Sequence, residues 1–135
     1  MIFSFTKKIY GYECDIYGHL NNANYLQVFE AARSEVLNEI GLSIASLKTQ
    51  GINIYLVKIN IEYKKSIELE EKILILTKIT YNDRLRAVWQ QELYNSHNEL
   101  CCVVQVHGVY VSAGKPKRIS HELCSIVDNF VEHGS

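Results

Sequence analysis

No stretch of this chain stays apolar for the roughly 18 residues a membrane-spanning helix needs, and the opening MIFSFTKKIY has no extended apolar segment of the secretory kind. A soluble, cytoplasmic protein is the expectation. Nor is there an excess of charge of one sign: 14 lysines and arginines stand against 15 aspartates and glutamates, a formal net charge of -1. Dispersed in this way they build neither a nucleic-acid groove nor a polybasic membrane patch. Proline occurs once, at Pro116, and there are no repeats, linkers or low-complexity segments. One domain over residues 1–135 is expected, and 47% apolar residues suffice to fill its core. The four cysteines, Cys14, Cys101, Cys102 and Cys124, lack CxxC spacing, so no disulfide framework is expected. His97, Cys101, Cys102 and His107 cluster along the chain, yet strand alternation would divide them between two faces. Buried small cysteines and surface histidines are the preferred reading over zinc, and no metal or redox cofactor is expected.

What is present is a change of period along the chain. Phe3, Phe5 and Ile9 alternate with Ser4, Thr6 and Lys8, which predicts a strand running to about Tyr12. From Asn22 to Ile40 the stripe Tyr25, Val28, Phe29, Ala32, Val36 and Ile40 predicts a long helix, stopped by Gly41. A short helix is predicted over Ser43 to Lys48. Strands follow: Val57 to Tyr63, Ile73 to Tyr81, Leu85 to Tyr94 after an Asn82-Asp83 turn, and Leu100 to Val111, with Gly114 and Pro116 as its end. Leu123, Ile126, Val127 and Phe130 predict a terminal helix within Ser120 to Val131. One long helix cannot hide its apolar stripe alone, and a five-stranded sheet has one face to bury. Wrapping the antiparallel sheet around the helix satisfies both and gives an α+β fold.

The polar chemistry is concentrated in Glu13 to Arg33, ECDIYGHLNNANYLQVFEAAR. Asp15 supplies a carboxylate, His19 an imidazole four residues later, and Gly18 a tight turn between them. Asn21 and Asn22 stand where the helix begins, and Asn is a favoured N-cap. The remaining free N–H groups and the positive end of the helix dipole favour developing negative charge. A carboxylate beside such a helix end is an apparatus for acyl transfer.

This motif, Asp15, Gly18, His19, Asn21, Asn22 and Tyr25 in the pattern D-x-x-G-H-x-N-N-x-x-Y, followed by Glu30 and Ala32-Arg33, resembles that of the hotdog-fold thioesterases. The likeness is to the branch that includes 4-hydroxybenzoyl-CoA thioesterase and the short acyl-CoA and acyl-carrier-protein thioesterases. It extends from about Phe5 to Ile119 and is echoed in the basic turn from Gly114 to Ile119. The resemblance implies a hotdog fold and hydrolysis of an acyl-CoA thioester to free acid and CoA. Asp15 would be the nucleophile on the carbonyl or the general base for water. The backbone N–H of Asn22 would polarise the carbonyl, and His19 would orient water or hold the acyl carbonyl. Tyr17, Gly18 and Asn21 would lie at the substrate, Tyr25 would line the acyl pocket, and Lys117 and Arg118, with Arg84 and Arg86, would meet the CoA phosphates. A homodimer or homotetramer with its pocket between subunits is implied.

Two departures stand out. The acyl-carrier-protein enzymes have Asn where this chain has Tyr17, and the Tol-Pal-associated acyl-CoA thioesterases have His at the position of Asn22. Each residue also has a plain structural role: Asp15 as a turn cap, His19 bonded to loop carbonyls, Asn21 as a cap, Tyr25 as core, and Glu30 with Arg33 as an i,i+3 pair. Cys14 is not expected to share a site with Asp15, because neighbouring side chains of an extended segment diverge. A hotdog dehydratase would need an acid/base pair with a histidine on or after the long helix, which carries only Glu30, Glu35 and Glu39. A non-catalytic acyl-binding protein would keep the pocket and dispense with Asp15.

Overall fold

The computed structural model describes residues 1–132. Five strands, β1 (Ile2–Lys8), β2 (Asn53–Tyr63), β3 (Lys72–Asn82), β4 (Arg86–Tyr94) and β5 (Leu100–Ser112), pair antiparallel in the order β1-β3-β4-β5-β2. A two-residue β6 (Lys115–Pro116) adds to β5. So Pro116 does more than end the last strand: it sits in a short edge, where a residue without an N–H is tolerated.

Alternation on the central strands defines the inner face. Ile73, Ile75, Thr77 and Ile79 of β3 and Ala87, Trp89, Gln91 and Leu93 of β4 are all buried. The long helix α1 (Asn22–Glu39) lies on this face and buries Tyr25, Val28, Phe29, Ala32, Val36 and Leu37. Each large apolar side chain removed from water here contributes about 1.5–3 kcal/mol. The expected hotdog arrangement is therefore what forms. A short α2 (Ile44–Thr49), capped by the Ser43 hydroxyl, follows Gly41, whose positive φ of 82° ends α1. After α3 (His121–Asp128), capped by Ser120, the chain leaves the helix. It reaches the β3 edge, where Glu132 N–H bonds the Ile79 carbonyl at 2.7 Å. No helix among the described residues is long and apolar enough to cross a membrane.

Two boundaries differ from expectation. β1 ends at Lys8 rather than near Tyr12, because the Glu13 carboxylate folds back onto the Tyr10 N–H at 3.0 Å and the Lys7 ammonium at 2.8 Å. That closes a 3-10 turn over Gly11–Glu13. β2 starts at Asn53, four residues earlier than its first predicted apolar residue, and a bulge between Leu56 and Lys58 breaks its alternation. Cys101 and Cys102, expected on opposite faces, are both buried.

β3 is the ruler of the molecule. Its eleven residues span about 33 Å at the usual rise of a strand. At one end Lys72 lies against Lys8, and at the other Asn82 lies against Ala87.

Candidate active site

Beyond the Glu13 turn the chain makes a small hairpin. Cys14 and Leu20 form an antiparallel bridge, the Asp15 N–H bonds the His19 carbonyl at 2.9 Å, and the Gly18 N–H bonds the Asp15 carbonyl at 3.1 Å. Gly18 adopts a φ of 75° at the tip, which is why a residue without Cβ is needed there. The Asp15 carboxylate closes the turn through one oxygen only: Oδ1 accepts from the N–H groups of Tyr17 at 2.9 Å and His19 at 3.2 Å. Oδ2 has no hydrogen-bond partner among the described residues, and Asp15 is exposed. The turn-capping and chemical roles thus fall on different atoms of one side chain.

The outgoing arm is fastened to the segment that leads into β3. Leu20 N–H bonds the Ile67 carbonyl and Leu69 N–H the Gly18 carbonyl, each at 2.8 Å, while His19 Nε2 lies 3.3 Å from Glu68 Oε1. The imidazole is held by a carboxylate rather than by loop carbonyls. Asn21 then caps α1 as expected, its Oδ1 accepting from Ala23 N–H at 3.0 Å and its carbonyl from Asn24 N–H at 2.8 Å. Its own N–H is taken by the Glu13 carbonyl at 2.9 Å. The Asn22 N–H is left without a partner among the described residues. An unfilled donor at the positive end of an 18-residue helix is a ready receptor for a polarised carbonyl oxygen.

The other loop residues divide. Tyr17 is 75% exposed, and its neighbours Ile16 and Tyr12 are 91% and 81% exposed, so the loop carries an uncovered apolar rim. Tyr25 points the other way, fully into the core, with its ring edge-on to Tyr63 at 5.1 Å. Burial, reinforced by Cys102 and Cys101, pushes its hydroxyl up to about 12. Cys14 sits half-buried with its thiol toward the Tyr10 carbonyl at 3.6 Å. Burial first, then the charges of Asp15, Glu13 and Glu68, push that thiol up, so it is a poor source of thiolate.

A cavity of about 250 Å³ opens under the second half of α1, between Leu37, Leu47, Ile54, Trp89 and Tyr110. Asp15, His19, Asn22 and Tyr25 do not line it. Its one basic residue is Arg33, which turns inward, so that Nη1 donates to Gln91 Oε1 at 2.9 Å. No ion pair joins Arg33 to Glu30 among the described residues. Gln91, entirely buried on the central strand, donates in turn to the Phe29 carbonyl and to Thr77 Oγ1, both at 3.1 Å. Burial lowers the Arg33 pKa and Glu30 opposes that shift. The sequence reading missed this cluster. Its signal was a glutamine within the apolar stripe of β4 and an arginine one helical turn after Phe29.

Lys117 and Arg118 lie at the opposite end of the sheet from Asp15. Lys117 N–H bonds the Tyr110 carbonyl at 3.0 Å, and Ile119 N–H bonds the Arg84 carbonyl at 2.8 Å. Arg118 lines a shallow depression together with Arg84 and Arg86, and Lys117 does not. Arg84 is committed locally, Nε to the Ile119 carbonyl at 2.7 Å and Nη1 beside His121 Nε2 at 3.1 Å. Within one chain, the hairpin of Asp15 is separated from these arginines by the length of β3.

Comparison with known proteins agrees with this architecture. A family model described as the thioesterase-like superfamily matches residues 11–127. YneP of Bacillus subtilis, named as a candidate acyl-CoA thioesterase, is 30% identical over 88 residues, or 65% of this chain. The match spans 64% of YneP, a little under two thirds of its length. YbgC of Escherichia coli O157:H7, named an acyl-CoA thioester hydrolase, is 27% identical over 86% of this chain and 87% of its own. Among solved structures, a DHNA-CoA thioesterase from Staphylococcus aureus superposes with a TM-score of 0.89 at 26% identity, covering 95% of this chain and 89% of its own.

Proposed function

We propose that this chain, which belongs to the thioesterase-like superfamily, hydrolyses an acyl-CoA thioester to free acid and CoA. The observation that carries the reading is the divided carboxylate of Asp15: Oδ1 fixed by two amides, Oδ2 free, at the junction where α1 offers the unfilled N–H of Asn22. In the reaction the thioester carbonyl oxygen accepts from that N–H while its carbon is attacked. The attacking group is Asp15 itself, or a water whose proton Asp15 removes. The carbon–sulfur bond breaks, the sulfur leaves as CoA thiolate and takes up a proton, and water supplies the oxygen of the released acid. His19, braced by Glu68, is placed to orient that water.

The working unit is two copies. β2 is an edge strand with one side unpaired, and Tyr55, Leu56, Val57 and Tyr63 along it are 51%, 43%, 64% and 48% exposed. Such an edge is a template for a second strand. Antiparallel pairing of two β2 edges about a two-fold axis sets the Tyr63 end of one copy beside the Asn53 end of the other. The Asp15 hairpin of one copy then faces the cavity and the Arg86–Arg118 depression of the other. The acyl tail enters that cavity, and the CoA phosphates meet those arginines.

Release of free thiol from a panel of acyl-CoA thioesters tests the activity. Hydrolysis is expected from the native chain, with none above background from Asp15→Ala at unchanged oligomeric state. Equal rates from the two proteins would remove Asp15 from the mechanism.

A further inference from the structure

The cavity under α1 is more selective than a hydrocarbon slot needs to be. Its walls are mostly aliphatic and aromatic, yet Arg33 of the helix is among the residues that line it. Only one guanidinium nitrogen is used: Nη1 donates to Gln91, while Nε and Nη2 have no partner among the described residues. Every fully buried side-chain nitrogen or oxygen among those residues has a hydrogen bond, so the free edge of the guanidinium is not sealed in the protein, and Arg33 is one of the residues that line the cavity. Gln91 cannot turn away to leave the arginine unheld, because its amide is spent on Phe29 and Thr77. The result is a positioned fork of donors on a residue of the cavity wall, beside Glu30 and Ser34 in a lining that is otherwise mostly apolar. Glu30, the other charged group on the lining, is exposed and forms no ion pair with it. A neutral methyl terminus would leave those donors unmatched, whereas a carboxylate accepts two parallel N–H bonds from such a fork. At roughly 30 Å³ for each water-sized group, 250 Å³ holds a tail of about eight non-hydrogen atoms.

From this we propose that the cavity takes an acyl tail of medium length ending in a carboxylate, and that Arg33 is the residue that selects it. The proposal rests on the thioester reading above for the identity of the ligand, and it names the class of acyl group. Arg33 does not touch the reacting carbon; it sets which thioesters are held.

The test uses binding, so that it does not depend on turnover. Two non-hydrolysable thioethers, S-octyl-CoA and its counterpart carrying a terminal carboxylate, are titrated calorimetrically into the intact protein and into Arg33→Gln and Arg33→Lys. The carboxylated thioether is expected to bind the native protein roughly ten- to a hundredfold more tightly than S-octyl-CoA. That ratio should fall to about one in Arg33→Gln and recover in part in Arg33→Lys, which keeps the charge and loses the fork. Each variant is compared at matched folded fraction from its melting curve, and a ratio needs no assumption about absolute affinity. Equal binding of the two thioethers by the native protein, or a ratio untouched by Arg33→Gln, would overturn the proposal. Selective binding with no hydrolysis of any acyl-CoA would instead defeat the thioesterase reading and leave the Arg33 site standing.

Discussion

The two ends of the sheet differ in kind. At the Lys72 end a hairpin outside the core holds a carboxylate by one oxygen, and the apolar residues around it, Tyr12, Ile16 and Tyr17, are open to solvent. Toward the Asn82 end the apolar surface is folded inward around a cavity lined by Arg33 and Glu30, and Arg84, Arg86 and Arg118 stand with Asp83 around a depression outside. In the proposed reading the reactive groups lie at one end and the chamber at the other. On that reading neither is a site alone: the cavity begins at Glu30, about 12 Å along α1 from Asn22, and the Asp15 hairpin does not line it. In the proposed dimer the long, unblunted β2 edge is what would join the halves.

The contrast can be broken most severely at the reactive end. Asp15→Ala should lower kcat by roughly 10²–10⁴-fold, the range expected for loss of a general base, while costing about 1 kcal/mol of stability for two exposed loop bonds. A parallel loss of the melting transition would mean that Asp15 is structural after all. The division between copies is tested by mixing. Ser34→Phe, which crowds the cavity, and Asp15→Ala are each expected to be inactive. Co-refolded in equal amounts they should regain about a quarter of native activity, since half the dimers are mixed and each mixed dimer has one intact pairing. No recovery would place carboxylate and cavity in the same chain's site.

Smaller effects sharpen the comparison at the chamber end. Gln91→Leu leaves the Arg33 guanidinium, the Phe29 carbonyl and Thr77 without a shared partner, and should cost about 2–4 kcal/mol in urea unfolding. The smallest effect belongs to Tyr25. Burial first, then Cys102 and Cys101, raise its hydroxyl to about 12, above the ordinary value of 10.0. A folded-state value above the unfolded one gives stability that is complete below the unfolded pKa and is lost as pH climbs from about 10 toward 12. Tyr25→Phe should flatten that alkaline slope in melting temperature, and an unchanged slope would assign it to other groups.

Most of the fold was legible because its signals are local. The stripe from Tyr25 to Val36, the Asn21 cap and the alternation of β3 and β4 each depend on residues a few positions apart, and each appears where the periodicity put it. The end of β1 was not, since it depends on Glu13 reaching back to Lys7 and Tyr10. The start of β2 was hidden by the bulge at Val57, which resets the phase of its side chains. Within the candidate site the motif located the hairpin and the helix start. It could not say that Glu68 would hold His19, because that partner comes from the Ile67–Leu69 segment nearly fifty residues away. The placement of Arg118 far from Asp15 was likewise invisible, being a matter of strand order rather than of sequence distance.

The uncovered margin at β2 also limits growth. In the proposed dimer, two β2 ribbons meeting antiparallel across a two-fold axis exhaust the sticky seam in a single event, and the outer margin that remains is β1, seven residues long and ending in Lys7 and Lys8. With Lys7 tied to Glu13 and Lys8 exposed, so short a margin is a poor template for another of its kind. In that dimer sheet-to-sheet polymerisation would halt after one union, and crowding the solution is expected to fill dimers without seeding fibres.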